Sequence, residues 1–320
     1  MLDISANGVY VIAVTPFADD GALDPAGIDR MVDFYVGCGV TGITVLGIMG
    51  EAPKLTHEES VALTRQVVRR ARLPVIVGVS APGFASMAAL TRAVMEVGAA
   101  GVMIAPPAMV KTDDQIVAYY ANAAHAIGPD VPFVIQDYPY ATGVVFAPSV
   151  IRRIVQDNPS CVMLKHEDWP GLDKITSVRD FIADGSMRPI SILCGNGGLF
   201  LPQEIERGAD GAMTGYAFPE MLVELVRLLR SGDRTAAHDL FDWHLPLLRY
   251  EQQPGVGLAV RKYVLKRRGV IASDAQRTPA SKLSAISVAE IEWMLDRLVT
   301  RSGVSLDMRP AVRAMERVSA

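Results

Sequence analysis

The sequence predicts an α/β protein, a (β/α)8 TIM barrel followed by a C-terminal helical extension. Eight short apolar runs alternate with longer helical patterns in the first two thirds of the 320 residues. Alternating strands and helices are typical of a parallel sheet, and eight such units favour a closed barrel over an open doubly wound sheet. No GxGxxG motif follows the first run, which weakens a dinucleotide-binding interpretation.

The predicted strands are short, largely apolar and rich in β-branched residues. Apolar runs of this kind are typical of parallel strands that are buried on both faces. The eight strands are predicted at residues 9–14, 42–46, 75–79, 102–105, 132–136, 162–165, 190–194 and 211–214.

The helical segments carry start signals. Thr56 and Glu59 form a capping box, and Pro25 and Pro148 stand in predicted first turns. Beyond residue 218 the strands stop while helical periodicity continues. We therefore predict a barrel at residues 1–230 and a C-terminal helical region at residues 231–320.

Amino-acid composition and charge exclude some classes of function. Half of the residues are apolar, and the net charge of -4 arises from 31 basic and 35 acidic residues without a basic stripe. Nucleic acid is therefore not expected as a partner. Every apolar run is shorter than the roughly 20 residues that a spanning helix needs, so no membrane association is expected. Cys38, Cys161 and Cys194 form no CxxC pair, and we interpret them as free thiols of a cytoplasmic protein.

Lys165 is the strongest catalytic candidate. Active sites of such barrels lie where the strands end, and Lys165 closes the sixth run after four apolar residues. Burial disfavours the charged amine and lowers its pKa, as a Schiff-base nucleophile requires. The alternative is an ordinary rim lysine paired with Glu167 or Asp168. We predict that Lys165 is the catalytic amine.

The second strand is followed by Gly47, Ile48, Met49, Gly50 and Glu51. Two glycines around a pair of residues allow backbone amides to approach a ligand and to point at a carboxylate. A plain βα turn is the alternative, and the Glu51 side chain could equally cap the next segment. We predict that these five residues bind the substrate.

The fifth strand leads into a loop with two tyrosines. A phenol near a cationic amine can have a lowered pKa and can relay protons, which makes Tyr138 and Tyr140 candidates, with aromatic packing as the alternative. In the same loop Thr142 and Gly143 could present a hydroxyl and a free amide. We therefore include Thr142 and Gly143 among the predicted substrate-binding residues.

Two further groups of residues contain types that suit other chemistry. The glycine-rich turn at residues 195–198 is weakly suggestive of phosphate but also allows a substrate to approach, so Gly195 and Asn196 are predicted to bind substrate. His166, Glu167 and Asp168 combine ligand types, yet the remaining histidines show no HxxxH or HxH spacing. We predict no metal and no organic cofactor.

Taken together, these residues resemble those of the dihydrodipicolinate synthase and N-acetylneuraminate lyase family of Schiff-base class I aldolases. In that family the lysine of the sixth strand forms an imine with pyruvate or another 2-oxo acid, and a GxxGE loop holds the carboxylate. The resemblance implies that Lys165 is the nucleophile, that Met49 and Met213 line the bound acid, and that the protein is a homotetramer or homodimer. The resemblance rests on the segments 8–17, 47–51, 139–143, 208–211 and 269–271 and on Lys165.

The sequence also departs from the family pattern. Ile48 and Met49 stand where the synthases have two threonines, and Gln136 stands where they have a tyrosine. The tyrosine that a neighbouring subunit contributes falls at residues 107–108, and the arginine that recognises an aldehyde-bearing substrate is Ala141. We therefore do not expect the lysine-pathway synthase.

The same departures suggest replacements. If the fifth strand continues, Gln136 and Tyr138 project to the same face. Tyr138 is then a replacement proton shuttle and Gln136 a hydrogen-bond donor near the imine. The apolar side chains of Ile48, Met49 and Met213 suggest a less polar or bulkier substrate.

The leading hypothesis is a lyase of aldolase or hydro-lyase type that acts on pyruvate or another 2-oxo acid through an imine on Lys165. The alternative is a catalytically quiet barrel that binds a 2-oxo acid as a sensor or scaffold, because every relay residue of the family has changed. A metal-dependent aldolase is a third possibility, against which the histidine spacing argues.

Overall fold

The computed structural model describes residues 1–303, 305 and 306. Its eight strands are all parallel and close into a barrel in chain order, with β8 pairing with β1. The predicted (β/α)8 fold is therefore confirmed. The strands are β1 (Gly8–Ile12), β2 (Gly42–Val45), β3 (Val75–Gly78), β4 (Gly101–Ile104), β5 (Phe133–Asp137), β6 (Cys161–His166), β7 (Ser191–Cys194) and β8 (Gly211–Ala212).

Seven of the eight strands end one or two residues from their predicted ends, and the shifts in β6 and β8 bear on the candidate site. β6 continues through His166, because its ladder pairs His166 with Asp137 of β5 and with Cys194 of β7. Lys165 is thus the penultimate residue of β6 and not the last. β8 stops at Ala212, although the amide of Met213 still donates to the carbonyl of Cys194.

Helices surround the barrel and also follow it. The capping box of Thr56 and Glu59 is present, and Pro25 and Pro148 occupy first turns as predicted. The helices are α1 (Pro25–Gly37), α2 (His57–Ala71), α3 (Phe84–Glu96), α4 (Asp113–Ile127), α5 (Pro139–Thr142), α6 (Pro148–Asp157), α7 (Leu172–Ala183), α8 (Leu201–Glu206), α9 (Pro219–Arg230), α10 (Arg234–Glu251), α11 (Gly257–Arg267) and α12 (Ala285–Ser302).

The C-terminal helices α10, α11 and α12 pack beside the barrel, where α10 contacts α9, α11 and α12. Helical periodicity predicted helices in this region. The division of the chain at residue 230 stays a prediction, and residue 304 and residues 307–320 of the predicted C-terminal region lie outside the described residues. No helix in the described part of the chain is long and apolar enough to cross a membrane.

Two apolar clusters form the core. The larger lies between the strands and the helices, and the smaller fills the barrel interior with side chains such as Tyr10, Ile12, Leu193 and Met213. Because the interior is packed, a ligand can enter only at the end where the strands stop. Buried polar side chains near this mouth, among them Gln136, Lys165 and Glu167, interrupt the apolar packing.

Candidate active site

Lys165 lies inside the mouth of the barrel beside a carboxylate. Its Nζ is 2.9 Å from Oε2 of Glu167, and both side chains are almost fully buried. Side chains of a strand alternate between its faces, so a glutamate two residues after the lysine lies on the same inward face. Each group therefore has a buried partner of opposite charge.

Gln136 joins this pair from the neighbouring strand. The register places Gln136 of β5 opposite Lys165 of β6, and Nε2 of Gln136 donates to Oε2 of Glu167 at 2.8 Å. Gly195 provides the space, because a Cβ at this position would overlap the Glu167 side chain. The structure thus brings the predicted residues Lys165 and Gln136 together around Glu167.

The outward face of β6 carries a different set of polar groups. Nζ of Lys174 is 2.8 Å from Oδ2 of Asp137 and 2.5 Å from Oδ2 of Asp168, and the buried His166 ring lies next to Asp137. His166 and Asp168 lie on this outer side and Glu167 lies on the inner side with Lys165, so the three do not form a common ligand set. Among the described residues, no group of three or more His, Cys, Asp or Glu side chains could hold a metal ion.

A cavity of about 1040 Å³ opens above the Lys165–Glu167 pair. Four of the predicted residues lie on its wall. Glu167 also lies on the wall and connects the buried Lys165 to the open space. The wall includes Ile48, Met49, Tyr138, Glu167, Trp169, Asn196, Leu199, Arg249, Glu251 and Gln252.

The turn after β2 offers backbone donors at this cavity. Residues Ile48–Gly50 form one 3-10 turn, whose first two amides, those of Ile48 and Met49, donate to no other group in the described part of the chain. Gly47 precedes the turn, and its carbonyl accepts the Gly50 amide at 3.0 Å. A substrate carboxylate could accept from the two free amides, in line with the prediction for this loop.

The Glu51 carboxylate is used within the protein, and its contact with a substrate stays a prediction. The side chain is buried, with Oε1 2.6 Å from Nζ of Lys262 and Oε2 2.9 Å from Nζ of Lys54. Oε2 also accepts the amide of Arg277 at 3.1 Å. Glu51 therefore positions the turn, because its oxygens already have partners.

Tyr138 is half-buried on the cavity wall, but its predicted lowered pKa is wrong. Burial, together with the negative charge of Glu167, raises the pKa of the Tyr138 phenol to about 12. Tyr138 thus holds its proton at neutral pH and can donate it. Its part in proton transfer stays a prediction.

The predicted free groups at Thr142 and Gly143 are absent. The Thr142 hydroxyl donates to the carbonyl of Tyr138 at 3.0 Å, and the Gly143 amide donates to the carbonyl of Pro139 at 2.7 Å. Both groups close the short helix α5, since a chain that turns sharply satisfies its own polar groups first. Contact of Thr142 and Gly143 with a substrate stays a prediction.

The remaining predicted residues lie at different depths. Asn196 is on the cavity wall and donates from Nδ2 to the carbonyl of Glu167 at 2.9 Å, so it holds the chain just after β6 in place. Gly195 lies below it against Glu167. Met213 is fully buried in the interior cluster, with Met49 packed against that cluster. Contact of Met213 with a substrate stays a prediction.

Sequence reasoning named Glu167 only as a partner in an ordinary ion pair with Lys165 and did not single out the buried Arg261. For Glu167 a signal existed, because a residue two positions from an inward lysine shares its face. For Arg261 on α11 no local signal existed, because its place near the mouth depends on how the C-terminal helices pack. The buried guanidinium of Arg261 pairs with Glu251 at 2.5 Å.

Comparisons with known proteins agree with this geometry. The model of the dihydrodipicolinate synthetase family matches residues 5–297. An L-2-keto-3-deoxyarabonate dehydratase from Azospirillum brasilense is 30% identical over 304 residues, which cover 92% of this chain and 96% of that enzyme. A crystal structure of a dihydrodipicolinate synthase from Rhodopseudomonas palustris has 59% identity and a TM-score of 0.91 and covers 92% of this chain and 99% of its own.

A more distant relative has the same family character. A 4-hydroxy-tetrahydrodipicolinate synthase from Methanothrix thermoacetophila is 29% identical over 76% of this chain and 81% of that enzyme. Relatives with synthase names and a relative with a dehydratase name thus share one barrel, and the resemblance noted from the sequence is confirmed. The chain belongs to the dihydrodipicolinate synthetase family.

Proposed function

We propose that this protein is a Schiff-base lyase of aldolase or hydro-lyase type, which acts on pyruvate or another 2-oxo acid through Lys165. The observation that carries the proposal is the Lys165–Glu167 pair beside the cavity. A lysine must lose a proton before its amine can attack a ketone, and the carboxylate 2.9 Å away can accept that proton.

Imine formation follows from these positions. Glu167 takes a proton from the Lys165 ammonium, and the free amine attacks the C2 carbonyl to give a carbinolamine. Glu167 then returns the proton to the C2 hydroxyl, which leaves as water, and the iminium remains on Lys165. In this scheme the amides of Ile48 and Met49 hold the substrate carboxylate.

The iminium makes the next step possible because it withdraws electrons from C3. Glu167, ionised again after the first water has left, accepts a C3 proton to give an enamine, whose electrons either expel a hydroxyl from C4 as water or form a bond to an aldehyde carbon. Tyr138, protonated at neutral pH, is suited to give a proton to a departing or newly formed oxygen. Gln136 holds Glu167 in place through Nε2.

Two considerations favour loss of water over lysine-pathway synthesis. The family tyrosine and the substrate arginine are replaced by Gln136 and Ala141, so the groups that serve the synthase reaction have changed together. The similarity to the Azospirillum brasilense dehydratase covers nearly the whole chain.

Borohydride trapping tests the proposal. Pyruvate or a longer 2-oxo acid and borohydride should give a stable mass adduct on the peptide that contains Lys165. Lys165→Met should abolish the adduct and lower turnover by about a thousandfold or more, because the nucleophile is lost. An adduct on another lysine, or none with any acid, would overturn the proposal.

The catalytically quiet alternative makes a different prediction for the same experiment. A sensor or scaffold would gain thermal stability from a 2-oxo acid without forming an adduct or a product. The Glu167 carboxylate beside Lys165 favours an enzyme over a catalytically quiet barrel, because it supplies a proton acceptor where the family relay residues are missing.

A further inference from the structure

Another buried lysine lies behind the candidate site, on the outer side of the barrel. Lys174 belongs to the first turn of α7, and its side chain is 8% exposed. Its Nζ lies 2.8 Å from Oδ2 of Asp137 and 2.5 Å from Oδ2 of Asp168. Asp137 is the last residue of β5, and Asp168 lies between β6 and α7. One ammonium group therefore joins the end of β5 to the loop after β6.

Each of these aspartates is the chain neighbour of a residue on the cavity wall. Asp137 directly precedes Tyr138, and Asp168 directly follows Glu167. Successive side chains of an extended chain point to opposite sides, so an aspartate that is held on the outer side fixes the direction of its inner neighbour. Tyr138 and Glu167 both line the cavity, and the charge of Glu167 helps to raise the pKa of the phenol. Lys174 thus acts on both groups from behind.

Lys174 makes these contacts where the two chain segments separate. The Glu167 amide donates to the Asp137 carbonyl at 2.8 Å, which continues the ladder between β5 and β6. Beyond this bond one segment turns into α5, which begins after Tyr138, and the other becomes the loop that leads to α7. The ladder therefore no longer sets the distance between the segments, whereas the contacts of Lys174 with both aspartates do.

Stability of α7 alone does not explain a lysine at this position. The first turn of a helix is the positive end of its dipole, which disfavours a cation there. A buried ammonium also loses its hydration, and carboxylates offset that loss only where their geometry is good. In addition, Oδ1 of Asp137 is buried without a hydrogen-bond partner in the described chain. What the cluster provides is a fixed separation of two segments that carry proton-transfer groups.

We propose that Lys174 is a positioning residue, which holds the Tyr138 phenol at the distance from Glu167 at which both groups reach one bound substrate. This inference rests on the proposed Schiff-base function. Imine formation uses Lys165 and Glu167, which lie two residues apart on one segment. Proton transfer at the C4 oxygen needs Tyr138 from the other segment. Loss of Lys174 should therefore impair the step at C4 far more than imine formation.

The first test compares two rates in Lys174→Met. Methionine has no charge, so Asp137 and Asp168 lose the cation between them and repel each other. The rate of adduct formation with pyruvate and borohydride should change little. Consumption of 4-hydroxy-2-oxopentanoate, whose C4 oxygen gains or loses a proton in both lyase reactions, should fall about a hundredfold, as a misplacement of about 1 Å can cause.

A double variant shows whether Lys174 acts through Tyr138. Tyr138→Phe alone should slow the consumption of 4-hydroxy-2-oxopentanoate. Adding Lys174→Met to Tyr138→Phe should slow it little further, because the group that Lys174 positions is already gone. A lysine that only stabilises the fold would instead give losses that multiply.

Two further variants separate positioning from misfolding. Asp168→Ala breaks the contact with the loop after β6 and leaves Lys174 paired with Asp137, so no charge is buried without a partner. The adduct rate should again change little, and consumption of the hydroxy acid should fall about tenfold. Lys266→Met removes an exposed lysine of α11 that pairs with Asp274, and this matched control should keep both rates.

Hydrogen exchange tests the connection without any substrate. Peptides that cover residues 138–143 and 167–171 should both exchange faster in Lys174→Met and in Asp168→Ala, because one ammonium group holds both segments. The same peptides should exchange at the unmodified rate in Lys266→Met.

The two proposals fail in different ways. If pyruvate gives no adduct with the unmodified protein, the Schiff-base function is wrong, and hydrogen exchange still decides whether Lys174 holds both segments. Exchange decides equally if the adduct forms but the hydroxy acid is not consumed. Equal falls of both rates in Asp168→Ala, multiplied losses in the double variant, or unchanged exchange in both segments would overturn the positioning role.

Discussion

Two buried lysine–glutamate pairs lie near the barrel mouth, and they differ in how completely the lysine is satisfied. Nζ of Lys262 has Glu51 Oε1 at 2.6 Å and the carbonyl of Ala275 at 2.7 Å, and it lies 4.6 Å from the centre of the Phe17 ring. Nζ of Lys165 has one polar partner among the described residues, Glu167. Burial and a partner of opposite charge are therefore common to both.

The difference teaches what makes a buried lysine suited to catalysis. Lys262 is surrounded by protein, and its interactions hold the turn after β2 against α11. Lys165 has spare hydrogens, and its single partner lies on the wall of a large cavity. A lysine with unfilled bonding capacity beside an open space can bind and attack a ligand, whereas a fully satisfied lysine can only support the fold.

The largest expected effect comes from replacing Glu167, the carboxylate that pairs with Lys165 at the barrel mouth. Glu167→Gln keeps the shape of the side chain and removes the proton acceptor. Turnover and the rate of adduct formation should fall by about a hundredfold to ten-thousandfold. Stopped reactions with borohydride, followed by mass spectrometry, measure the adduct rate directly.

Two matched variants give that result its meaning. Glu224→Gln changes a surface glutamate paired with Arg227 on α9 and should leave the rate unchanged. Tyr138→Phe removes only the phenol oxygen and should lower the rate less than Glu167→Gln does. A larger loss in Tyr138→Phe would mean that the tyrosine, and not Glu167, is the main proton carrier.

The second prediction concerns the structural pair. Lys262→Met leaves the Glu51 carboxylate buried with one fewer cation, so the free energy of unfolding should fall by about 3–5 kcal/mol. Lys165→Met should cost less, because water in the cavity can solvate Glu167. Urea denaturation of both variants measures the difference. If both variants lost the same free energy of unfolding, the two lysines would support the fold equally, and the distinction between a structural and a catalytic lysine would be wrong.

The sequence predicts the barrel well because its signals are local. Apolar runs, capping residues and the spacing of strands and helices all depend on neighbours along the chain, and all eight strands and the C-terminal helices lie near their predicted places. Lys165 could be chosen for the same reason, since a strand end in a barrel is an active-site position.

The details of the site depend on contacts between distant segments. Glu51 and Lys262 are 211 positions apart, and Gly215 and Arg261 are 46 apart, so no local pattern reveals either pair. The same limit explains the error at Tyr138. A nearby amine would lower its pKa, but burial and Glu167 raise it.

The smallest effect concerns a buried carboxyl that no lysine reaches. Glu204 of α8 is 6% exposed, and its Oε2 has no hydrogen-bond partner in the described chain. Burial raises the pKa of Glu204 from 4.5 to about 7, with His166 and Cys194 opposing the rise and Glu167 adding to it. Glu204 thus lacks the compensation that Lys165 and Lys262 give to their glutamates.

The consequence is a loss of stability as the pH rises. Between pH 4.5 and about 7 the folded state keeps the Glu204 proton that the unfolded state releases, so the free energy of unfolding falls across this window. Each pKa unit is worth about 1.4 kcal/mol, which gives about 3 kcal/mol for Glu204. Glu204→Gln should remove this decline, as denaturation at several pH values would show. If the unmodified protein and Glu204→Gln lost the same stability across this window, Glu204 would be ionised in the folded state without cost. A buried carboxylate at this place would then not need a lysine as its partner.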